Sequence, residues 1–179
     1  IAMELAEYCI QYFYDDKENM FFYTASNSEK LIARKKEIFD NVIPASNSQM
    51  ALNLYFLSKY FYHKKYQHIS SSMLANVKPF FQSDISYLSN WGILYFYNIY
   101  DTAEISFIGD KANAWRSEID EIPFFNKIFS GTPEKSHLPI LSDRTKVNSR
   151  DTIYVCFNKS CKLPVHSAQE AIKQINFEP

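Results

Sequence analysis

At 179 residues, 46% hydrophobic and 17% aromatic, the chain holds enough apolar mass for a substantial core and too much for disorder. Nineteen basic and twenty acidic residues give a net charge of −1, and the signs stay balanced on either side of Tyr100, which excludes the one-sided positive field of a nucleic-acid binder. Only three glycines are present, Gly92, Gly109 and Gly131, so a glycine-rich phosphate loop is excluded as well.

The chain opens on Ile1 inside a helical pattern, in which Ala2, Leu5, Ala6, Cys9, Ile10 and Phe13 share one face. This opening suits a fragment or a processed chain. Asp15 to Asn19 is a polar break, Met20 to Thr24 an aromatic strand, and Ser26 to Lys30 a turn. The charged stretch Arg34 to Ser48 follows. Pro44 disfavours helix at Ile43, and Ser46, Asn47 and Ser48 are good N-cap residues. A helix therefore starts there, with Met50, Ala51, Leu54, Leu57 and Phe61 inward, and ends near His63-Lys64-Lys65, where positive charge suits a C-terminus. A third helix is predicted from Tyr66 to Lys78, stopped by Pro79, and a fourth from Ile85 to Tyr100, apolar nearly all round and so buried on more than one side. Short links between successive helices read as hairpins.

After Tyr100 the pattern changes. Glu104 to Ile108 reads as a strand stopping at Gly109-Asp110, Ala112 to Ile122 as a helix, and Lys127 to Phe129 as a second strand. Pro133 to Arg150 is polar and irregular. Thr152 to Phe157 is a third strand, and Ser167-Ala168-Gln169-Glu170 is a capping box opening a last helix to Ile175. This order predicts a small parallel α/β unit packed on the helices.

No apolar run reaches the roughly eighteen residues needed to cross a bilayer. Three cysteines make no secreted-type disulfide framework, so a cytoplasmic, reducing compartment is expected. Cys156 and Cys161, four residues apart at a strand end, have the wrong spacing for a Cys-x-x-Cys redox pair. They read as packed thiols, a labile disulfide, or half of a metal site with His166. The remaining histidines are scattered, and no metal site and no cofactor are expected. Arg34, Lys36, Glu37 and Asp40 lead into a helix N-terminus. They read either as a solvated loop or as pocket-lining groups. Glu37 and Asp40 are candidate catalytic carboxylates, although three residues apart they cannot straddle a sugar without a partner from elsewhere. The many tyrosines, Tyr55, Tyr66 and Tyr95 among them, read as core or as a sugar-stacking groove.

Two blocks carry a family resemblance. Arg34-x-Lys36-Glu37-x-x-Asp40, followed by Pro44-x-x-Asn47-Ser48 and an apolar helix, is one. Tyr154-Val155-Cys156-x-Asn158-x-x-Cys161-x-x-Pro164-Val165 is the other. In order and separation they resemble the YyaL-type thioredoxin-domain-containing proteins, relatives of the spermatogenesis-associated thioredoxin-like protein of animals. The likeness covers nearly the whole chain. The family pattern Pro-Ser-Gly/Ala-Asn-Ser is Pro44-Ala45-Ser46-Asn47-Ser48 here, and its glycine pair before Phe-Phe is replaced by Asn19-Met20.

The resemblance implies that this chain is the C-terminal part of a larger protein. An N-terminal thioredoxin-like domain and the remainder of a six-hairpin glycosidase-type toroid would precede it. The expected fold is mainly α: a partial α/α toroid over 1–100, then a small α/β unit with a short parallel sheet over 101–179. Arg34, Lys36, Asn47 and Ser48 are the expected binding residues, Cys156 and Cys161 the expected redox pair. The implied activity is sugar binding or carbohydrate metabolism; the alternative is a non-enzymatic scaffold supporting the upstream domain. Expected partners are a small carbohydrate and the rest of the same protein, with no nucleic acid and no membrane.

Overall fold

The computed structural model describes residues 1–29 and 33–175, and the chain divides into two compact units after Asn98. Lys30, the end of the expected turn, lies outside the described residues.

The first unit begins with α1 (Ala2–Phe13), which runs directly into a two-stranded antiparallel hairpin of β1 (Tyr14–Asp15) and β2 (Met20–Phe21). Asn19 takes a positive φ of 48°, the left-handed conformation that asparagine tolerates better than most residues. The long link then leads to α2 (Ser46–Phe61) and α3 (Lys64–Val77). Tyr62 ends α2 in the left-handed region, with φ 51°, and its N–H returns to the Ser58 carbonyl. Lys64 and Lys65 consequently open α3 instead of closing α2 as the charge pattern suggests. The two helices pack through Ala51, Leu54, Tyr55, Ile69, Met73 and Val77, all buried. Ser70 Oγ donates to the Ala51 carbonyl at 2.7 Å, so this buried hydroxyl is satisfied by backbone. Two short 3-10 turns, Lys78–Gln82 and Ile85–Tyr87, absorb Pro79 and precede α4 (Ser89–Ile99). Trp91 and Leu94 of α4 are fully buried, each such side chain contributing about 1.5–3 kcal/mol. Its other side is open: Ile93, Phe96 and Ile99 are exposed, which corrects the expectation of burial on several sides.

The second unit is a four-stranded sheet with order β4-β3-β5-β6, formed by β3 (Ala103–Ile108), β4 (Lys127–Thr132), β5 (Thr152–Phe157) and β6 (Ser160–Cys161). The helix α5 (Ala112–Asp120) joins β3 to β4, and α6 (Ala168–Ile175) follows β6. Ile105 and Phe107 of β3, with Ile153 and Val155 of β5, pack against Trp115 and Ile119 of α5 and Ala168, Ala171 and Ile175 of α6. Side chains alternate along a strand, so Glu104, Ser106 and Ile108 point to the opposite face. The connection 133–151 serves that face, with a 3-10 turn at Pro139–Leu141 and Arg144 donating to Ser106 Oγ.

A mainly α chain built on a partial toroid is therefore not what this sequence forms. Among the described residues there are six α-helices and two sheets, an α/β fold. Nor is the larger sheet parallel throughout. β3 pairs with β4 in parallel but with β5 antiparallel, Ile108 opposite Thr152. The reason lies in the connections. A parallel neighbour needs a crossover, and α5 supplies one between β3 and β4. Residues 133–151 contain no crossover helix, so the chain re-enters at the end where β4 stopped and runs back along β3.

Candidate functional site

The link from Arg34 to Ser48 is held by its own unit. The Asp40 side chain is only 5% exposed. Its Oδ1 accepts from the Ala45 amide at 2.8 Å and the Ser48 hydroxyl at 2.6 Å, and its Oδ2 from the Asn90 amide at 2.9 Å. Ala45 is the N-cap of α2 and Asn90 lies in the first turn of α4. One carboxylate thus meets two helix N-termini, where unpaired amides and the helix dipole favour negative charge. Hydrogen bonds to an ionised group are worth about 1.5–3 kcal/mol each. The Ser48 hydroxyl also donates to the Ala45 carbonyl at 3.0 Å and accepts from Asn90 Nδ2 at 3.0 Å.

Glu37 is exposed, and its Oε2 accepts from the Ser46 amide at 3.0 Å. Asn47 is fully buried: Oδ1 accepts from the Phe21 amide at 2.7 Å, while Nδ2 donates to the Phe21 and Glu37 carbonyls, both at 2.9 Å. Arg34 donates to the Thr24 carbonyl at 2.6 Å and lies 4.0 Å from the centre of the Phe22 ring. Lys36 stands 4.4 Å from the same ring and is bound by Asp15 at 2.5 Å and Glu18 at 2.6 Å. The Lys36 ammonium holds Asp15 below the usual carboxylate range. Burial works against the charge on Lys36, but Asp15 and Glu18 outweigh it and raise its pKa.

All six residues that the sequence singled out here are accordingly brought together, as a lock between the hairpin, α2 and α4. Arg34, Glu37, Asp40, Asn47 and Ser48 all bond to backbone, Asp40 and Ser48 also to each other, and Lys36 to Asp15 and Glu18. Arg34 Nε is buried without a partner among the described residues. At the start of α2 the Ala45 amide donates to Asp40 and the Ser46 amide to Glu37, where the sequence offers Ser46, Asn47 and Ser48 as caps. Of the tyrosines, Tyr55 and Tyr66 are core, while Tyr87, Tyr95 and Tyr100 are exposed.

Cys156 and Cys161 form a disulfide, directly opposite each other on β5 and β6. Asn158 and Lys159 make the two-residue turn between those strands with φ of 48° and 70°, the paired left-handed conformation of a type I′ hairpin. The closed loop is short, so the loop-entropy model gives only about 2 kcal/mol of stabilisation. His166 does not join the pair: its Nδ1 lies 2.8 Å from the Asp151 carbonyl. Among the described residues, His, Cys, Asp and Glu nowhere gather in a group of three suited to a metal ion. No helix of the described residues is long and apolar enough to cross a membrane.

The second unit also has a cleft that sequence reasoning did not find. It measures about 550 Å³ and is lined by Ile108, Pro133, Glu134, Lys135, Thr145, Lys146 and Ser149. It opens at the C-terminal ends of β3 and β4, where one strand hands the chain to α5 on one face and its neighbour hands it to the connection on the other. Such a switch point leaves a crevice in open α/β sheets. Lys146 is bound to Asp151 at 3.0 Å, which raises the ammonium's pKa. The Lys111 amide, at 3.0 Å, and then Lys146 hold the Asp151 carboxyl below its ordinary value. Gly109, with φ +124°, passes so close that a Cβ there would collide with the Asp151 carboxylate. The signal available in the sequence was Gly109-Asp110 closing a strand, but the residues that complete the cleft, Pro133 to Lys135 and Thr145 to Ser149, come much later in the chain.

Comparison with protein-family models, with curated proteins and with solved structures finds no match for this chain, so the YyaL-type resemblance stands on its motif residues alone.

Proposed function

We propose that the chain is a non-catalytic scaffold or interaction segment of a thioredoxin-domain-containing protein, supporting an upstream thioredoxin-like domain. One observation carries the non-catalytic part: the Asp40 carboxylate is buried with three donors at two helix N-termini. A general acid or nucleophile must reach a substrate atom, and this one is enclosed by its own backbone. Glu37, three residues before it, caps the same helix. The two-block resemblance supplies the larger protein. The test is saccharide titration by calorimetry on the intact protein, wild type against Glu37→Gln. Identical curves are expected; loss of binding or turnover in the variant, at unchanged thermal stability, overturns the reading.

A second reading has its own observation, the crevice at the ends of β3 and β4. A small polar solute such as a saccharide would meet the Thr145 and Ser149 side chains and the charges of Glu134, Lys135 and Lys146 there. Ser149→Ala and Lys135→Met then weaken binding, whereas Glu37→Gln leaves it unchanged.

A further inference from the structure

We propose that Cys156–Cys161 is an exchangeable disulfide, a two-electron acceptor for dithiols that is attacked at Cys161. This goes beyond the scaffold reading and does not depend on it.

The two sulfurs are unequal. Cys156 is fully buried, on the sheet face it shares with Glu104, its register partner on β3. Cys161 is exposed, on a two-residue edge strand. Exchange needs a thiolate to approach a sulfur atom, so access selects Cys161. Lys162, the next residue, points to the other face of the sheet, so access alone makes the choice. Its Nζ donates to the Gln174 carbonyl at 2.7 Å and stands 5.4 Å from the centre of the Phe157 ring, on the side of the helices.

The bridge is also dispensable to its surroundings. Backbone bonds already fix the strand pair, from the Lys162 amide to the Val155 carbonyl at 2.9 Å. Beyond it, Ile153 and Val165 exchange two more, at 2.8 and 3.0 Å. A disulfide across positions that the hairpin already pairs adds little to the fold, and its opening leaves the ladder intact.

The step balances as follows. One thiolate of the dithiol bonds to Cys161 Sγ; the Cys156–Cys161 bond breaks, and its electron pair goes to Cys156 Sγ, which takes up a proton. Burial disfavours a thiolate at Cys156, so that sulfur ends as the neutral thiol. The second thiolate of the dithiol then attacks its own partner sulfur and releases Cys161 as a thiolate. The dithiol leaves as a disulfide, and the chain gains two thiols.

The experiment uses the full chain carrying Cys9→Ser, which removes the other cysteine. It is exposed either to dithiothreitol or to a reduced Cys-x-x-Cys protein whose second cysteine is replaced by serine. Thiol counting and far-ultraviolet circular dichroism follow the first arm, and peptide mass mapping of the trapped adduct follows the second. Two new thiols at an unchanged spectrum are expected, with the adduct on Cys161. An adduct with the protein trap assigns a protein dithiol as the source; thiols with dithiothreitol alone assign a small dithiol. The proposal fails if thiols appear only in denaturant, if reduction collapses the spectrum, or if the adduct maps to Cys156.

Discussion

The two units place charged groups at different kinds of element end. In the first, Asp40 and Ser48 are buried and joined to each other and to backbone at two helix starts, and Asn47 is buried on the backbone of Phe21 and Glu37. In the second, Asp151 and Lys146 gather at the ends of parallel strands beside an open cleft. The difference teaches where chemistry-bearing residues become structural. A carboxylate at a helix N-terminus has its acceptor capacity claimed by amides that nothing else satisfies. Charges at strand ends face a crevice that the topology leaves unfilled.

The sharpest way to break this contrast is Asp40→Ala. It leaves the Ala45 and Asn90 amides short of an acceptor and the Ser48 hydroxyl with the Ala45 carbonyl alone, and a loss of about 3–5 kcal/mol is expected from urea unfolding. A loss below about 1 kcal/mol would mean that water replaces the carboxylate and that the lock is not closed. Next is Gly109→Ala, which adds strain at positive φ and a collision with Asp151. A cost of about 2–3 kcal/mol is expected, read as a lowered Tm. A neutral result would show that the strand end is soft.

A pH measurement sharpens the same contrast. Tyr66 is fully buried, stacked on His63 with ring centres 4.0 Å apart. Burial and then the Glu7 carboxylate push its phenol from 10.0 up to about 12. A raised folded-state pKa means that stability is whole below pH 10 and is lost as pH rises toward 12. Denaturation midpoints across that range should fall, and Tyr66→Phe should flatten the fall. The smallest effect is that of Lys36→Met. Its ion pairs lie near the surface, so about 1 kcal/mol or less is expected, shrinking further in salt.

Some of this was legible in the sequence. Pro44 and the small polar residues after it located the start of α2, because those signals are local. The first bond of the capping box at Ser167 and Glu170 is present for the same reason, with the Glu170 amide donating to the serine hydroxyl at 3.3 Å. What caps α2 was not legible, since Asp40 and Glu37 reach it through space and no spacing rule encodes that. The direction of β5 was hidden too. Alternation identifies a strand, but its period of two is the same in either pairing, and only the course of residues 133–151 decides it. That course also sets Thr145, Lys146 and Ser149 beside Ile108, contacts between residues far apart in the chain.

Asn47 has one more consequence. Its side-chain amide engages both the N–H and the C=O of Phe21, the two groups on the side of β2 away from β1. A carboxamide thereby occupies the place of a third strand. An extended segment from another molecule would find no vacant ladder at that edge, so this short hairpin is guarded against templated, cross-β growth by a single residue.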